Sequence, residues 1–258
     1  MEPTHTLIQL TDLHVREEHD PWPTGDTLPV LERALAAVAA AGPVTGLLLT
    51  GDLTEHGRPA EYRRLRAALA GVTVPIVLVA GNHDDRAALR TELAGQAADS
   101  SPFDHVTWLD GLRVVALDST VPGEGHGELR PEQLEWLRTE LAEPAPAGTL
   151  VALHHAPLPH GLEIAREIEL RDRAALGAVL AGTDVRIVVG GHVHSATAGT
   201  LAGIPVWTGG SVHVALDALP PRGISHRAVV APAMTRIDLF PDTALATSVP
   251  LLMPAHSA

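Results

Sequence analysis

The chain has 258 residues, 45% of them hydrophobic and 19% charged, with a formal net charge of −13 and no cysteine. Its length suits one soluble α/β domain with a sizeable core, and its acidity opposes nonspecific binding to duplex nucleic acid or anionic lipid. Without cysteine there are no disulfides, no thiolate nucleophile and no thiolate metal site, and because all 18 basic residues are arginine there is no Walker-type phosphate lysine and no Schiff base.

The opening MEPTHTLIQLTDLH lacks the basic and apolar regions of a signal peptide. No uninterrupted apolar run of about 18 residues is present to cross a membrane, so a cytoplasmic location is expected. Thr6–Leu10 reads as a strand and leads into Thr11-Asp12-Leu13-His14. Over Val15–Pro29 a loop follows that is either plainly solvated or one wall of a pocket, with His19 and Trp22 as substrate contacts. A helix is predicted over Leu28–Ala41, then a strand over Gly46–Leu49 that runs into Gly51-Asp52. A helix over Ala60–Ala70 precedes the strand Pro75–Val79, which ends in Gly81-Asn82-His83-Asp84, and a helix over Asp85–Ala94 follows. Leu112–Leu117 is the next strand, and Pro131 suits the first position of a helix over Pro131–Glu140. Thr149–Leu153 ends in His154-His155, a helix covers Asp172–Ala181, and Val185–Val189 ends in Gly190-Gly191-His192-Val193-His194. Further strands are predicted over Ala198–Leu201, Pro205–Thr208, Ala228–Leu239 and Ala244–Pro250.

Strand–helix alternation through the first 190 residues implies an α/β core with buried sheets. The last sixty residues read as strands and loops in an antiparallel extension, and no linker divides the chain. The expectation is one domain over 1–258, with residues from about 211 to 258 as its β-rich end.

In open α/β sheets, ligands bind beyond the carboxyl ends of the strands. Here five strands end in Asp, Asn or His. Taken singly, Gly-Asp and Gly-Asn are ordinary turns, Asp12-x-His14 is an exposed loop, and His154-His155 is one core and one surface histidine. Their recurrence at five strand ends is a poor fit to coincidence. Asp12, His14, Asp52, Asn82, His154, His192 and His194 make seven candidate ligands. If Asp52 bridges, each of two metals receives four protein ligands and keeps room for water. Two carboxylates and a bridging hydroxide leave two divalent ions net positive, which suits an anionic substrate. Metals about 3.5–4 Å apart stabilise attacking and leaving oxygens in phosphoryl hydrolysis, and mixed carboxylate, imidazole and amide donors favour Mn, Fe, Co or Zn over Ca or Mg.

The ordered set D-x-H, G-D, G-N-H-D, H and G-H-x-H, spanning about residues 5 to 215, resembles the calcineurin-like metallophosphoesterase family. Within it, GNHDD, PGEGHGELRPEQLEWL and ALHHAPLP resemble bacterial class III cyclic nucleotide phosphodiesterases, with the related glycerophosphodiesterases close by. The resemblance implies two mixed sheets flanked by helices, a four-layer αββα sandwich. It implies that Asp12, His14, Asp52 and His194 hold one metal and Asp52, Asn82, His154 and His192 the other, so that His192 and His194 do not share an ion. It implies Mn²⁺ or Fe²⁺/Fe³⁺, or Zn²⁺ or Co²⁺, as the pair. A metal-bridging hydroxide would attack phosphorus in line, with no covalent enzyme intermediate.

In the same resemblance His83 is a non-ligand that hydrogen-bonds a phosphate oxygen or acts as general acid. With Asn82 and His126 it makes the candidate substrate-binding set, although His126 reads equally well as an exposed loop histidine. Where relatives have H-H-P-P this chain has His154-His155-Ala156-Pro157, which touches only loop rigidity. His155 is expected to support rather than bind metal. Gly209–His213 is expected either to line the pocket or to serve a subunit contact, and a homodimer is the assembly the resemblance implies. The substrate expected is a small phosphodiester, 3′,5′-cyclic AMP in type, with 2′,3′-cyclic nucleotides and glycerophosphodiesters as alternatives. A non-catalytic scaffold on the same fold is the remote alternative, disfavoured by the full ligand set. A nuclease lacks its basic groove, and a Rossmann module lacks its G-x-G-x-x-G.

Overall fold

The computed structural model describes residues 2–20 and 25–251. Thirteen strands and six α-helices occur among them. In the first sheet β1 (His5–Leu10), β2 (Gly46–Thr50) and β3 (Ile76–Val79) run parallel. On the other side of β1, β12 (Ala233–Leu239) and then β13 (Ala244–Pro250) add antiparallel, giving the order β13-β12-β1-β2-β3. The second sheet has the order β4-β5-β6-β7-β9-β8. It comprises β4 (His105–Leu109), β5 (Leu112–Leu117), β6 (Thr149–His155), β7 (Val185–Gly191), β8 (Thr197–Leu201) and β9 (Ile204–Thr208). A two-stranded ribbon, β10 (Ala215–Leu216) with β11 (Ala228–Val229), stands apart from both.

The apolar runs alternate between two buried faces, as strands covered on both sides must. Leu7 and Leu48 meet Val114, Ala116, Leu150, Ala152, Ile187 and Val189 in a core between the sheets. Their neighbours Ile8, Leu10, Leu47 and Leu49 face Leu31, Leu65 and Tyr62, which belong to α1 (Leu28–Ala40) and α2 (Pro59–Leu69). On the far side, Val115, Val151 and Val188 pack on Leu137, Leu176 and Leu180, from α4 (Pro131–Glu140) and α6 (Arg173–Leu180). Three cores between four layers make the αββα sandwich that the resemblance implies.

The helices expected over Leu28–Ala41, Ala60–Ala70, Pro131–Glu140 and Asp172–Ala181 agree with the structure to within a residue at each end. The one expected over Asp85–Ala94 does not hold as a single α-helix. Asp85 caps α3 (Arg86–Leu89) by accepting from the Ala88 N–H at 2.8 Å, and Arg90–Ala94 widens into a π turn. The strand expected over Ala228–Leu239 is likewise two. Pro232 has no N–H for a ladder, and it separates β11, paired with β10, from β12, paired with β1. Three elements escaped the reading altogether, the edge strand β4, the short strand β10 and the short helix α5 (Glu163–Arg166).

Candidate metal centre

The carboxyl ends of β1, β2 and β3 from one sheet meet those of β6 and β7 from the other, and all seven candidate ligands lie there. Asp12, His14, Asp52 and His194 form one group whose donor atoms lie within 4.8 Å of one another, and Asp52, His154 and His192 form a second. Asn82 joins the second through its Oδ1, 3.2 Å from His154 Nε2. Asp52 is common to both and turns a different oxygen to each. Its Oδ2 is 3.6 Å from His14 Nε2, and its Oδ1 is 3.3 Å from His154 Nε2. The histidines of GHVH fall in different groups, His192 with Asp52 and His154, and His194 with Asp12, His14 and Asp52.

The backbone is forced into unusual shapes to achieve this. Of eight non-glycine residues with positive φ among those described, five are Asp12, His14, Asp52, His192 and His194. Left-handed backbone is rare outside glycine and collects at functional sites. Close approach dictates the glycines beside the ligands. A Cβ on Gly81 would sit 2.0 Å from the Asp52 nitrogen, and one on Gly191 would sit 1.8 Å from Thr11 Oγ1. Backbone N–H groups then hold the carboxylates. His192 donates to Asp12 Oδ1 at 3.0 Å, and His83 donates to Asp52 Oδ1 at 3.0 Å.

Each of the four imidazoles is fixed by one ring nitrogen and turns the other inward. The Nδ1 of His154 lies 2.9 Å from the Thr50 carbonyl, His194 Nδ1 lies 2.8 Å from the Val214 carbonyl, and His192 Nε2 lies 2.9 Å from the Ile168 carbonyl. His14 Nδ1 is held by the Glu55 carboxylate at 2.8 Å. With those nitrogens donating, the inward ones carry lone pairs. Yet His14 Nε2 and His194 Nε2 are 3.1 Å apart, and His154 Nε2 and His192 Nδ1 are 3.2 Å apart. Lone pairs facing one another beside buried carboxylates are the donor set of a cation. The residues therefore fit two metal ions, one per group.

The electrostatics agree. Burial pulls His154 down, but the Asp52 carboxylate outweighs it and raises the pKa to about 9. Burial likewise opposes a charge on His14, and Glu55, Asp52 and Asp12 together still raise it. Asp52 itself, though buried, is held well below the ordinary carboxylate range by His154 and His14. Each group thus favours one positive charge at its centre, which either a proton on one imidazole or a cation between the lone pairs supplies. The others yield: burial and then the charge on His154 press His192 to about 3, and burial lowers His194.

His83 is not a member of either group. Its ring stands edge-on to His14 with centroids 4.8 Å apart, and its Nδ1 lies 2.9 Å from the Glu55 carbonyl. His155 is fully buried with both ring nitrogens engaged, Nδ1 with Ser119 Oγ at 2.8 Å and Nε2 with the Gly125 carbonyl at 3.2 Å. It packs on His192 with centroids 4.3 Å apart. His126 is buried between Glu128, at 3.2 Å, and Glu124, at 3.7 Å, and belongs to neither group. The Gly209–His213 segment does reach the centre, where the Ser211 hydroxyl donates to the Asp12 carbonyl at 3.0 Å. With His14, Arg16, Asp26 and other loop residues, His213 also lines a cavity of about 200 Å³. Trp22 lies outside the described residues.

Two contributors carry no role in the sequence reading. Glu55 orients His14 and also pairs with Arg16 at 2.9 Å. Asp84 accepts from the N–H groups of Leu53, Thr54 and Gly81 and from the hydroxyls of Thr54 and Tyr62. It thereby ties the loop after β2 to the loop after β3. Burial, then the nearby charge of Asp52, raises its pKa to about 6.

Residues 5–196 match the calcineurin-like phosphoesterase family. The chain is 44% identical over 209 residues to a cAMP/cGMP dual specificity phosphodiesterase of Mycobacterium tuberculosis, an alignment covering 80% of this chain and 66% of that protein. It is 34% identical over 191 residues to the 3′,5′-cyclic adenosine monophosphate phosphodiesterase of Escherichia coli, covering 73% of this chain and 69% of that one. The chain thus spans about two thirds of the length of these relatives. In fold it is similar to a purple acid phosphatase from yellow lupin seeds, with a TM-score of 0.70 at 14% identity, covering 97% of this chain and 52% of that one.

Proposed function

The chain belongs to the calcineurin-like phosphoesterase family, and we propose that it is a metal-dependent phosphodiesterase hydrolysing small phosphodiesters, 3′,5′-cyclic nucleotides foremost. The observation that carries this reading is the pair of inward-facing donor groups sharing Asp52. Asp12, His14, Asp52 and His194 would hold one ion, and Asp52, Asn82, His154 and His192 the other. Nitrogen and oxygen donors of this mixture suit Mn²⁺ and Fe²⁺/Fe³⁺, with Zn²⁺ and Co²⁺ also accommodated. When bound, two such ions supply positive charge to the phosphate and make water nucleophilic near neutral pH.

The chain's own groups do the rest. Asp52 faces both groups with separate oxygens, and the His83 N–H keeps that carboxylate from rotating. With Nδ1–H donated to the Glu55 carbonyl, His83 has Nε2 left for a ligand. A proton there is donated to a phosphoryl oxygen or to the leaving oxygen. In a 3′,5′-cyclic nucleotide the P–O3′ bond breaks, and that oxygen takes the proton. Support for this substrate comes from the activities of the two bacterial relatives. The reading includes a cytoplasmic location and a homodimer. Among the described residues no helix is long and apolar enough to cross a membrane.

The test is a panel of kcat/KM values on metal-defined enzyme with 3′,5′-cAMP, 2′,3′-cAMP, glycerophosphocholine and bis-p-nitrophenyl phosphate. 3′,5′-cAMP should lead by more than tenfold, about 1.4 kcal/mol of transition-state preference. A lead for glycerophosphocholine would transfer the assignment to glycerophosphodiesters, and no turnover of any member would leave a binding scaffold.

A further inference from the structure

Beside His192 and His194 the surface opens into a cleft of about 210 Å³ that the hydrolytic steps leave unused. Its other walls include Ile164, Ile168, Val193, Val214, Leu216 and His226, contributed by α5, the turn after it, the GHVH segment and the β10–β11 ribbon. Apart from imidazoles, none of the lining side chains is ionisable. Two of the walls are tied directly to the metal centre. The Ile168 carbonyl accepts from His192 Nε2 and the Val214 carbonyl accepts from His194 Nδ1. Cleft and donor groups therefore keep a fixed relation. Ile164 lines the cleft, and Leu219, Ile224 and Val230 belong to or adjoin the β10–β11 segment that forms another of its walls; these are four of the six large apolar residues exposed among those described. Apolar groups gathered at the surface round a concavity mark a place where something binds.

We propose that this cleft is the nucleobase subsite, holding the base of a nucleotide whose phosphate lies at the metal centre; this rests on the phosphodiesterase reading above. Its size suits one ring system rather than a whole ligand, since sites enclosing drug-sized molecules begin at about 300 Å³. Its chemistry selects among the organic parts of the candidate substrates. A choline headgroup needs a cage of Trp, Tyr or Phe faces or of carboxylates, and the lining has none of these. Glycerol needs several polar side-chain partners, and apart from three imidazoles the lining side chains are aliphatic. A neutral heteroaromatic base gains from aliphatic contact on its faces and from stacking on the exposed His226 ring. Continuity with the two ligand histidines puts that base on the same molecule as the phosphate.

The test uses wild type and the double variant Ile164→Ser with His226→Ser, both at exposed positions. Calorimetry on the Mn²⁺-loaded proteins measures binding of adenosine 5′-monophosphate and of inorganic phosphate. Wild type should bind the nucleotide at least tenfold more tightly than phosphate. The variant should lose at least tenfold on the nucleotide, about 1.4 kcal/mol, while phosphate stays within twofold. Equal binding of the two probes by wild type, or undiminished nucleotide binding by the variant, would overturn the subsite. Sedimentation is measured alongside: a variant that dissociates into monomers with nucleotide affinity intact would make the corner a subunit contact and also overturn it. Lack of cAMP turnover by wild type would instead sink the phosphodiesterase reading, and the binding comparison would still decide the subsite.

Discussion

Three of the four imidazoles at the centre are held by backbone carbonyls, which no substitution removes. His14 is the exception, because its outer nitrogen rests on the Glu55 side chain. A carboxylate in that place fixes the ring and raises its basicity toward a metal. Glu55→Gln should therefore weaken binding of Mn²⁺ at the group containing His14 by about 10- to 100-fold, with turnover recovering in excess metal. Chelator competition measures it, and unchanged affinity would remove Glu55 from the account. Asp84 makes a second residue-level prediction. Five donors converge on its carboxylate, and an amide would turn an N–H toward them. Asp84→Asn should cost about 1–3 kcal/mol of stability by urea unfolding; a neutral result would mean the loops do not depend on it. The seven candidate ligands could be picked out in the sequence because each follows an apolar run that ends in a turn. Glu55 and Asp84 could not, since their roles appear only when two loops distant in sequence lie side by side.

The elements impose their own constraints. Gly81 sits where β3 gives way to the Asn82 loop, and any Cβ there would collide with Asp52. Gly81→Ala should displace the shared carboxylate, abolish binding of the second ion and cost about 1–3 kcal/mol. Two ions bound to a stable Gly81→Ala protein would contradict the packing described. At the edge strand β4, burial lowers the pKa of His105, with the Arg90 charge adding to the effect and the Phe103 carbonyl opposing it. The folded state thus binds fewer protons there than the unfolded chain, whose histidine titrates near pH 6.5. Stability from this group is full above about pH 6.5 and falls as the pH drops through that value toward the lowered folded pKa. His105→Gln should flatten the slope of unfolding free energy between about pH 5 and 6.5, and an unaltered slope would place the ring in solvent. β4 itself could have been read from WLDGLR. Asp110 and Gly111 both take positive φ, the two-residue turn that Asp-Gly favours between paired strands. The split of Ala228–Leu239 was also written in Pro232. What no local pattern discloses is the partner of each half, because β12 pairs with β1 across more than two hundred residues.

At the scale of the molecule, the centre joins two sheets. Asp12, Asp52 and Asn82 come from the ends of β1–β3, and His154, His192 and His194 from β6 and β7. Gln9 makes a further link, donating to Thr50 Oγ1 at 2.8 Å and to the Gly190 carbonyl at 2.7 Å. Ions held between the sheets should therefore stabilise the whole fold. Metal at about 100 times its dissociation constant adds about 2.7 kcal/mol for a single site, seen as a rise in the unfolding midpoint that a chelator reverses. Strand–helix alternation made the α/β class legible, whereas the division into two sheets came through the family motifs. Alternation alone does not say which strands share a sheet.

The central claim is that two ions, held by donor groups that share Asp52, are required for phosphodiester hydrolysis. It is tested most directly by titrating metal-stripped enzyme with Mn²⁺ while following both bound metal and 3′,5′-cAMP turnover. Turnover should be absent at the start, should reach its plateau at two ions per chain, and should stay absent in a folded Asp52→Ala protein. Full turnover without metal, a plateau at one ion, or wild-type rates in Asp52→Ala would contradict the account.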